Sequence, residues 1–133
     1  METLKKHILR EANLLTSRIR LRSDGIMEIR MKNRDDISIN DLIEINEACG
    51  RIGEGKAFPN LFYIDHFINI NAEARAYGAS EASNKYTKAD AFVLNSEALK
   101  LIGNFYIRFN KPIRPTRIFS SDIEAVKWLK SFS

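Results

Sequence analysis

The sequence predicts an α/β protein with a mainly parallel mixed sheet, an antiparallel β-hairpin near the N-terminus and four helices. Strand-like runs alternate along the chain with segments of helical periodicity, which is typical of parallel strands joined by crossover helices. The first two strand-like runs instead flank a tight turn and add an antiparallel edge. The 133 residues, of which 44% are hydrophobic and 29% charged, suit a single domain over residues 1–133.

The N-terminal segment has two interpretations. Apolar side chains in residues 2–15 are spaced as in a short amphipathic helix, and a loose arm is the alternative. We therefore expect residues 1–16 to form an N-terminal helix or arm that precedes the sheet.

Residues 17–32 are predicted to form the hairpin. A three-residue loop from Ser23 to Gly25 pairs Arg20 with Glu28 and sets apolar side chains opposite one another. A two-residue loop would place the apolar residues of the two strands on opposite faces. The longer loop also puts Gly25 at the left-handed position that such loops require.

The first helix begins near Ser38. Ser38 and Asp41 have the spacing of a capping box, and Gly53 offers a stop after an apolar stripe that includes Cys49. A buried, inert thiol is the favoured interpretation of Cys49, over a reactive nucleophile.

Three further strands are predicted at residues 60–65, 89–95 and 116–119. The first is a nearly continuous apolar run, which indicates a central strand covered on both faces. Polar residues that follow the strands are predicted to cap the next helices: Asn71, Ser96, and Ser121 or Asp122.

The third helix is apolar over most of its circumference, and its polar residues occupy one narrow stripe. Such a helix is predicted to be buried on more than one side. Its second side would meet another subunit or a ligand, or the helix would be wedged deep within its own fold. The candidate dimer or apolar-ligand surface comprises Leu101, Phe105, Tyr106 and Phe109.

Three segments together resemble the small STAS-like domains of the SpoIIAA type, and in particular a bacterial branch of them. They are Asp24-Gly25, the run from Ala89 to Ser96, and the C-terminal run from Pro115 to Leu129. The resemblance covers about residues 17–132 and implies the STAS / CRAL-TRIO-like α/β fold.

The resemblance also implies two functional precedents. Anti-sigma-factor antagonists are non-enzymatic switches that bind a kinase-type partner and are phosphorylated on a Ser just after a strand-end Asp. That Asp matches Asp65, but residues 66–69 contain no Ser or Thr, so the usual phospho-acceptor is missing. CRAL-TRIO relatives bind lipids in an apolar cavity but are larger, and a chain this short is expected to have little room for one unless a dimer encloses it.

The carboxyl ends of the predicted parallel strands carry polar residues. Ligands of open parallel sheets gather at these ends, beside helix N-termini that can hold an anion. Ordinary helix caps and a loop histidine are the alternative interpretation. The candidate strand-end pocket comprises Asp65, His66, Asn95, Ser96, Ser120 and Ser121.

Composition and motifs argue against several function classes. Residues 1–34 hold nine basic and four acidic side chains, but the basic residues alternate with apolar ones as on a solvated strand face, and no aromatic residues interleave with them, so nucleic-acid binding is not expected. The two histidines lie on unrelated segments, and no metal or cofactor is expected. Without a Gly-x-Ser-x-Gly elbow, hydrolase activity is not expected either.

We expect neither a secretory signal nor a membrane-spanning segment from this sequence, and its single cysteine cannot form an internal disulfide. A cytoplasmic location is therefore expected.

Two functions follow as hypotheses. The first is a non-enzymatic STAS-like regulatory or protein-interaction domain that forms a homodimer and binds an unknown protein partner. The alternative is a carrier or sensor of a small apolar or amphipathic ligand. The pocket of such a carrier would be lined by Phe67, Phe105, Tyr106 and Phe109.

Overall fold

The computed structural model describes residues 7–32 and 36–132. Over these residues the strands are β1 (Ile8–Asn13), β2 (Ser17–Arg22), β3 (Met27–Met31), β4 (Asp36–Ile37), β5 (Phe58–Ile64), β6 (Asn69–Ile70), β7 (Thr87–Leu94) and β8 (Thr116–Phe119). The α-helices are α1 (Ile39–Ile52), α2 (Ala72–Ala79), α3 (Glu97–Phe105) and α4 (Asp122–Leu129).

Six strands form the main sheet in the order β1-β2-β3-β5-β7-β8. Neighbouring strands run antiparallel from β1 to β3 and parallel from β3 to β8, and β5 lies in the centre. The short strands β4 and β6 pair with each other in a separate parallel sheet. The predicted α/β class, with its antiparallel N-terminal hairpin, central apolar strand and four helices, is confirmed.

The N-terminal segment differs from the prediction. Residues 8–13 form strand β1, which pairs with β2 and extends the sheet, instead of a helix or an arm. The free edge of β2 offers hydrogen bonds along the whole segment, whereas an isolated helix of this length is marginal. Ion pairs also hold β1 against β2, because a carboxylate oxygen of Glu11 lies 3.3 Å from Arg20 Nε and 3.4 Å from Arg18 Nη2. Residues 1–6 lie outside the described residues.

The hairpin has the predicted register. Arg20 faces Glu28 across the strands, and the backbone N–H of Arg22 donates to the carbonyl of Ile26 at 2.9 Å, which closes a three-residue loop. Gly25 has a φ of 82°, a left-handed conformation that a side chain would strain.

Two cores lie on opposite faces of the sheet. The α1 side buries Ile29 of β3 against Ile45 and Cys49 of α1. The α4 side buries Leu61 of β5 against Leu129 of α4. Alternate residues of a strand face opposite sides of the sheet, so β5 contributes to both cores.

The predicted helix caps are present. Ser38 Oγ accepts from the backbone N–H of Asp41 at 3.2 Å, and the Asp41 carboxylate accepts from the N–H of Ser38 at 2.9 Å, which completes the capping box. Asn71, Ser96 and Ser121 each accept a bond from the backbone N–H three residues further on. Ser121, and not Asp122, therefore caps α4.

Helix α3 continues into a wide π-helical turn, Tyr106–Asn110, and ends at Lys111 in a left-handed conformation. Leu99 is buried, whereas Leu101, Ile102, Phe105 and Phe109 are exposed. The alternative of a helix wedged deep within its own fold is therefore wrong, because the apolar surface of α3 faces outward. No helix in the described part of the chain combines the length and apolarity needed to cross a membrane.

Candidate functional site

A cavity of about 590 Å³ lies on the α1 side of the sheet, between strands β5 and β7 and helices α1, α2 and α3. This volume falls within the range of small-molecule binding sites. Small residues of α2 give it room, since Ala74 and Gly78 both line it. A single chain thus forms a sizeable cavity that is partly open to solvent.

Aromatic side chains form much of the cavity wall. Phe62 of β5 stacks on Phe92 of β7 with ring centroids 5.0 Å apart. Tyr106 meets Phe92 edge to face at 6.2 Å. All three residues line the cavity, which therefore presents rigid apolar surface to any occupant.

The mouth of the cavity is marked by exposed lining residues. Phe67 is 66% exposed, Leu101 72% and Phe105 48%, and they lie in the loop after β5 and on α3. Together with Tyr106, these residues are the predicted apolar-ligand side chains that the structure brings to one cavity. Phe109 does not line it, but its ring stacks on Phe105 with centroids 4.4 Å apart.

The buried end of the cavity is polar. Asn60 and Asp90 are 4% and 1% exposed, sit opposite each other on β5 and β7, and both line the cavity. Arg114 Nε donates to Asp90 Oδ2 at 2.7 Å, and Asn60 Nδ2 donates to Thr87 Oγ1 at 3.0 Å. Arg114 Nη1 also donates to Ser83 Oγ at 3.1 Å.

Burial governs the titration of these groups. Desolvation raises the pKa of Asp90, and the Arg114 charge together with the bonds from Arg114 and Asn60 opposes the shift. The pKa of Tyr106 is also raised, first by burial and then by the Asp90 charge, so its hydroxyl stays protonated at neutral pH.

Sequence reasoning missed this polar cluster. Its signal was a polar residue next to the apolar run of a central strand, as Asn60 is in Phe58–Ile64 and Asp90 is in Thr87–Leu94. A buried polar side chain in a central strand must find partners, and those partners mark a site worth examining.

The six predicted strand-end residues are spread over separate local contacts, and none of them lines the large cavity. His66 Nδ1 lies 2.8 Å from Asp65 Oδ1, and His66 Nε2 lies 2.8 Å from the carbonyl of Lys32. Ser96 and Ser121 are helix caps. Asn95 and Ser120 are exposed. Within residues 7–32 and 36–132, no hydrogen bond joins these side chains from one strand end to another.

The predicted basic strand face is paired with acidic residues. Arg22 Nη2 lies 2.7 Å from Asp24 Oδ2, and Glu28 Oε1 lies 3.8 Å from Arg20 Nη1 and 3.2 Å from Arg30 Nε. A depression of about 440 Å³ on this face is lined by Arg20, Arg22 and Glu28, together with residues of β1, β5 and α4. Its polar lining is thus largely engaged within the chain.

Cys49 lines the cavity and is buried. Burial, with a further contribution from the Asp90 charge, raises the pKa of its thiol from 9.0 to about 12. The predicted burial of this thiol is confirmed, and its raised pKa favours the inert interpretation over a reactive nucleophile.

The comparisons with known proteins concern the fold and the family. No match was found among the curated proteins. Among solved structures, the chain is similar to an uncharacterized protein of the DUF3478 family from Shewanella loihica PV-4, which has a SpoIIAA-like fold. The TM-score is 0.52 at 12% identity, and the likeness covers 97% of this chain and 98% of that chain.

At this identity the likeness shows the fold alone, and the SpoIIAA-like fold expected from the sequence is confirmed. A family model described as a domain of unknown function, DUF7793, matches residues 19–133, and the chain therefore belongs to the DUF7793 family.

Proposed function

We propose that this protein binds a small apolar or amphipathic ligand, as a carrier or a sensor, in the cavity between the sheet and helices α1, α2 and α3. The observation that carries the proposal is the cavity of about 590 Å³ with its aromatic wall. Transfer of an apolar ligand from water to such a wall is favoured by the hydrophobic effect.

The mouth supports the same function. Exposed apolar side chains at the opening, Leu101 and Phe105 among them, are costly to leave in water. A ligand that extends from the cavity to these side chains would cover part of their surface.

Binding is tested with Nile red, an uncharged dye whose fluorescence rises in apolar surroundings. We expect saturable binding of one dye per chain. The cavity-filling variant Gly78→Leu should weaken binding about tenfold or more, because a Cβ at Gly78 would already lie 3.4 Å from Tyr106 Oη and 3.7 Å from Leu42 Cδ1, both lining residues.

The matched control is Ala98→Leu, which adds the same side chain at an exposed position of α3 outside the cavity. It should bind the dye as the parent does. Equal affinity of the parent and a folded Gly78→Leu variant would show that the dye binds elsewhere and would contradict the proposal. Native mass spectrometry of the freshly purified protein would, in addition, detect a ligand that copurifies.

A second candidate function is a non-enzymatic regulatory or protein-interaction domain that forms a homodimer. The observation that favours it is the outward apolar face of α3, where Leu101, Ile102 and Phe109 lie exposed on one helical segment. Apolar patches of this kind often mark protein interfaces.

A further inference from the structure

We infer that the ligand of the cavity carries a head with a single negative charge, such as a carboxylate, and that the guanidinium of Arg75 binds this head. The inference rests on the proposed function and specifies the chemistry of its ligand. It is carried by a positive charge on the cavity wall that no carboxylate in the described part of the chain balances.

Arg75 is the unbalanced charge of the wall. The charged side chains that line the cavity are Arg75, Asp90 and Arg114. Asp90 and Arg114 form an ion pair with side chains 2% and 8% exposed, so together they are neutral. Within residues 7–32 and 36–132, Arg75 contacts the carbonyl of Ile70 and the ring of Phe105 but forms no ion pair. The wall therefore carries one net positive charge.

The guanidinium of Arg75 is held near the mouth of the cavity. Its Nη1 donates to the carbonyl of Ile70, just before α2, and its Cζ lies 5.9 Å from the centroid of the Phe105 ring. Phe105 is one of the exposed residues of the mouth. These contacts position the guanidinium, and neither of them neutralises its charge.

One terminal nitrogen of Arg75 remains available to a ligand. Nε has less than 1 Å² of exposed surface, so a ligand cannot reach it. Nη2 has no hydrogen-bond partner among the described residues and is not one of the buried unpaired atoms, so part of its surface is accessible. An accessible guanidinium N–H can donate a strong, charge-assisted hydrogen bond to an anion.

The hydroxyl of Tyr106 is a second accessible donor on the cavity wall. It has no hydrogen-bond partner in the described ranges and is not one of the buried unpaired atoms either. A Cβ at Gly78, three residues after Arg75 on α2, would lie 3.4 Å from Tyr106 Oη, so the hydroxyl lies beside the helix that carries Arg75. Burial raises the pKa of Tyr106, which keeps this hydroxyl able to donate at neutral pH.

Charge distinguishes between the possible heads. A cationic head would be repelled by Arg75, and a neutral head would leave the Arg75 charge unbalanced beside an apolar wall. A head with one negative charge balances it, while the alkyl chain can pack against Phe62 and Phe92. The segment around the mouth favours the approach of an anion, because residues 98–121 contain no acidic side chain and five basic ones: Lys100, Arg108, Lys111, Arg114 and Arg117.

The test compares decanoate with 1-decanol in displacing Nile red from the parent protein at pH 7.5, where the carboxyl group is ionised. The two compounds have the same number of carbon atoms, but only decanoate is charged. A purely apolar cavity would prefer the alcohol, since a carboxylate is the more costly group to remove from water. We expect decanoate to bind about tenfold more tightly, which corresponds to about 1.4 kcal/mol.

Variants assign this preference to Arg75. In Arg75→Met the ratio of decanoate to decanol affinity should fall to one or below. The matched control is Arg108→Met, which removes an exposed charge of the same type outside the cavity and should keep the parent ratio. If Arg75→Met does not fold, Arg75→Gln removes the charge but keeps a donor for the Ile70 carbonyl. If neither folds, the comparison of the two compounds on the parent protein decides the question.

Three outcomes would overturn the inference. Equal or tighter binding of decanol by the parent would show that no anion is recognised. Tighter binding of decylammonium than of decanoate would show that the site prefers a cation. An unchanged ratio in a folded Arg75→Met variant would place the anion elsewhere. In all three cases Nile red still binds, and the proposed function stands; if the dye does not bind at all, the proposed function itself fails.

Discussion

Arg114 Nε and Asp90 Oδ2 form a hydrogen-bonded ion pair at 2.7 Å between side chains that are almost completely buried. The two residues come from β7 and from the loop before β8, 24 positions apart. The pair therefore fixes the loop that precedes the edge strand and neutralises the inner end of the cavity.

Removal of one partner of this pair should be strongly destabilising. Asp90→Ala leaves the Arg114 guanidinium buried without its carboxylate, and the free energy of unfolding should fall by about 3 kcal/mol or more. Urea denaturation measures the change. The double variant Asp90→Leu/Arg114→Met should be more stable than Asp90→Ala, because it leaves no unpaired charge; a double variant no more stable would contradict this explanation.

The titration of Asp90 should make the free energy of unfolding depend on pH. Its native pKa is raised above the ordinary value of 3.8, first of all by burial. The native state therefore binds more protons than the unfolded state, and this contribution to stability is present at low pH and is lost as pH rises through the native pKa.

The variant Asp90→Asn isolates this contribution. The stability of the parent minus that of Asp90→Asn should decrease as the pH rises above the ordinary pKa of 3.8, measured by urea unfolding at each pH. A difference that grows with pH would mean that the Arg114 interaction outweighs desolvation, and the predicted sign would be wrong.

Substitution by alanine should change the free energy of unfolding in opposite directions at two helical glycines, Gly50 and Gly78. A Cβ at Gly50 of α1 would lie 2.5 Å from Cε2 of Tyr86, so Gly50→Ala should destabilise by about 1–3 kcal/mol. At Gly78 of α2 the nearest contact would be an ordinary 3.4 Å, so Gly78→Ala should stabilise by about 0.5–1 kcal/mol through helix propensity. Thermal unfolding of the two variants checks the signs, and destabilisation by both would refute the steric distinction.

The Cys49 thiol should be almost unreactive in the native protein. A pKa raised from 9.0 to about 12 lowers its thiolate fraction about a thousandfold at pH 8. Labelling with Ellman's reagent should therefore be slow in buffer and fast in urea. Because Cys49 is the only cysteine, Cys49→Ser gives the background rate; rapid labelling of the folded parent would contradict the burial of this thiol.

The dimer hypothesis is tested on α3. We expect the parent to be a dimer in sedimentation equilibrium, and Leu101→Glu and Phe105→Glu to be folded monomers, because a buried charge at the interface is unfavourable. Ile123→Glu serves as the matched control, since Ile123 is 79% exposed on α4 and outside the proposed interface. If the α3 variants keep the parent's oligomeric state, this surface is not the interface.

Local rules made much of the fold predictable. The capping box of Ser38 and Asp41 and the register that pairs Arg20 with Glu28 depend on residues close in sequence, and both are present. Strand β1 was missed because its conformation depends on the free edge of β2, which no local pattern reveals. For such a segment, tertiary pairing overrides helical periodicity.

The candidate site was less predictable for the same physical reason. The sequence analysis named Phe67, Phe105 and Tyr106 as residues of an apolar pocket, and all three line the cavity. Phe105 and Tyr106 stand out in the sequence because their segment is apolar over most of its circumference. It missed Asn60 and Arg114, whose partners lie 27 and 24 residues away. A cavity is space left between helices, and no single segment encodes it.

The small sheet formed by β4 and β6, two strands of two residues each, bears on how quickly a ligand could exchange. It joins the segments that lead into α1 and α2, and Asn69 Nδ2 donates to Asp36 Oδ1 at 3.0 Å across it. We expect these two helices to move over the main sheet as one body. We expect the rates of ligand entry and release to depend on α3 and its wide π-helical turn, which this small sheet does not join to α1 or α2.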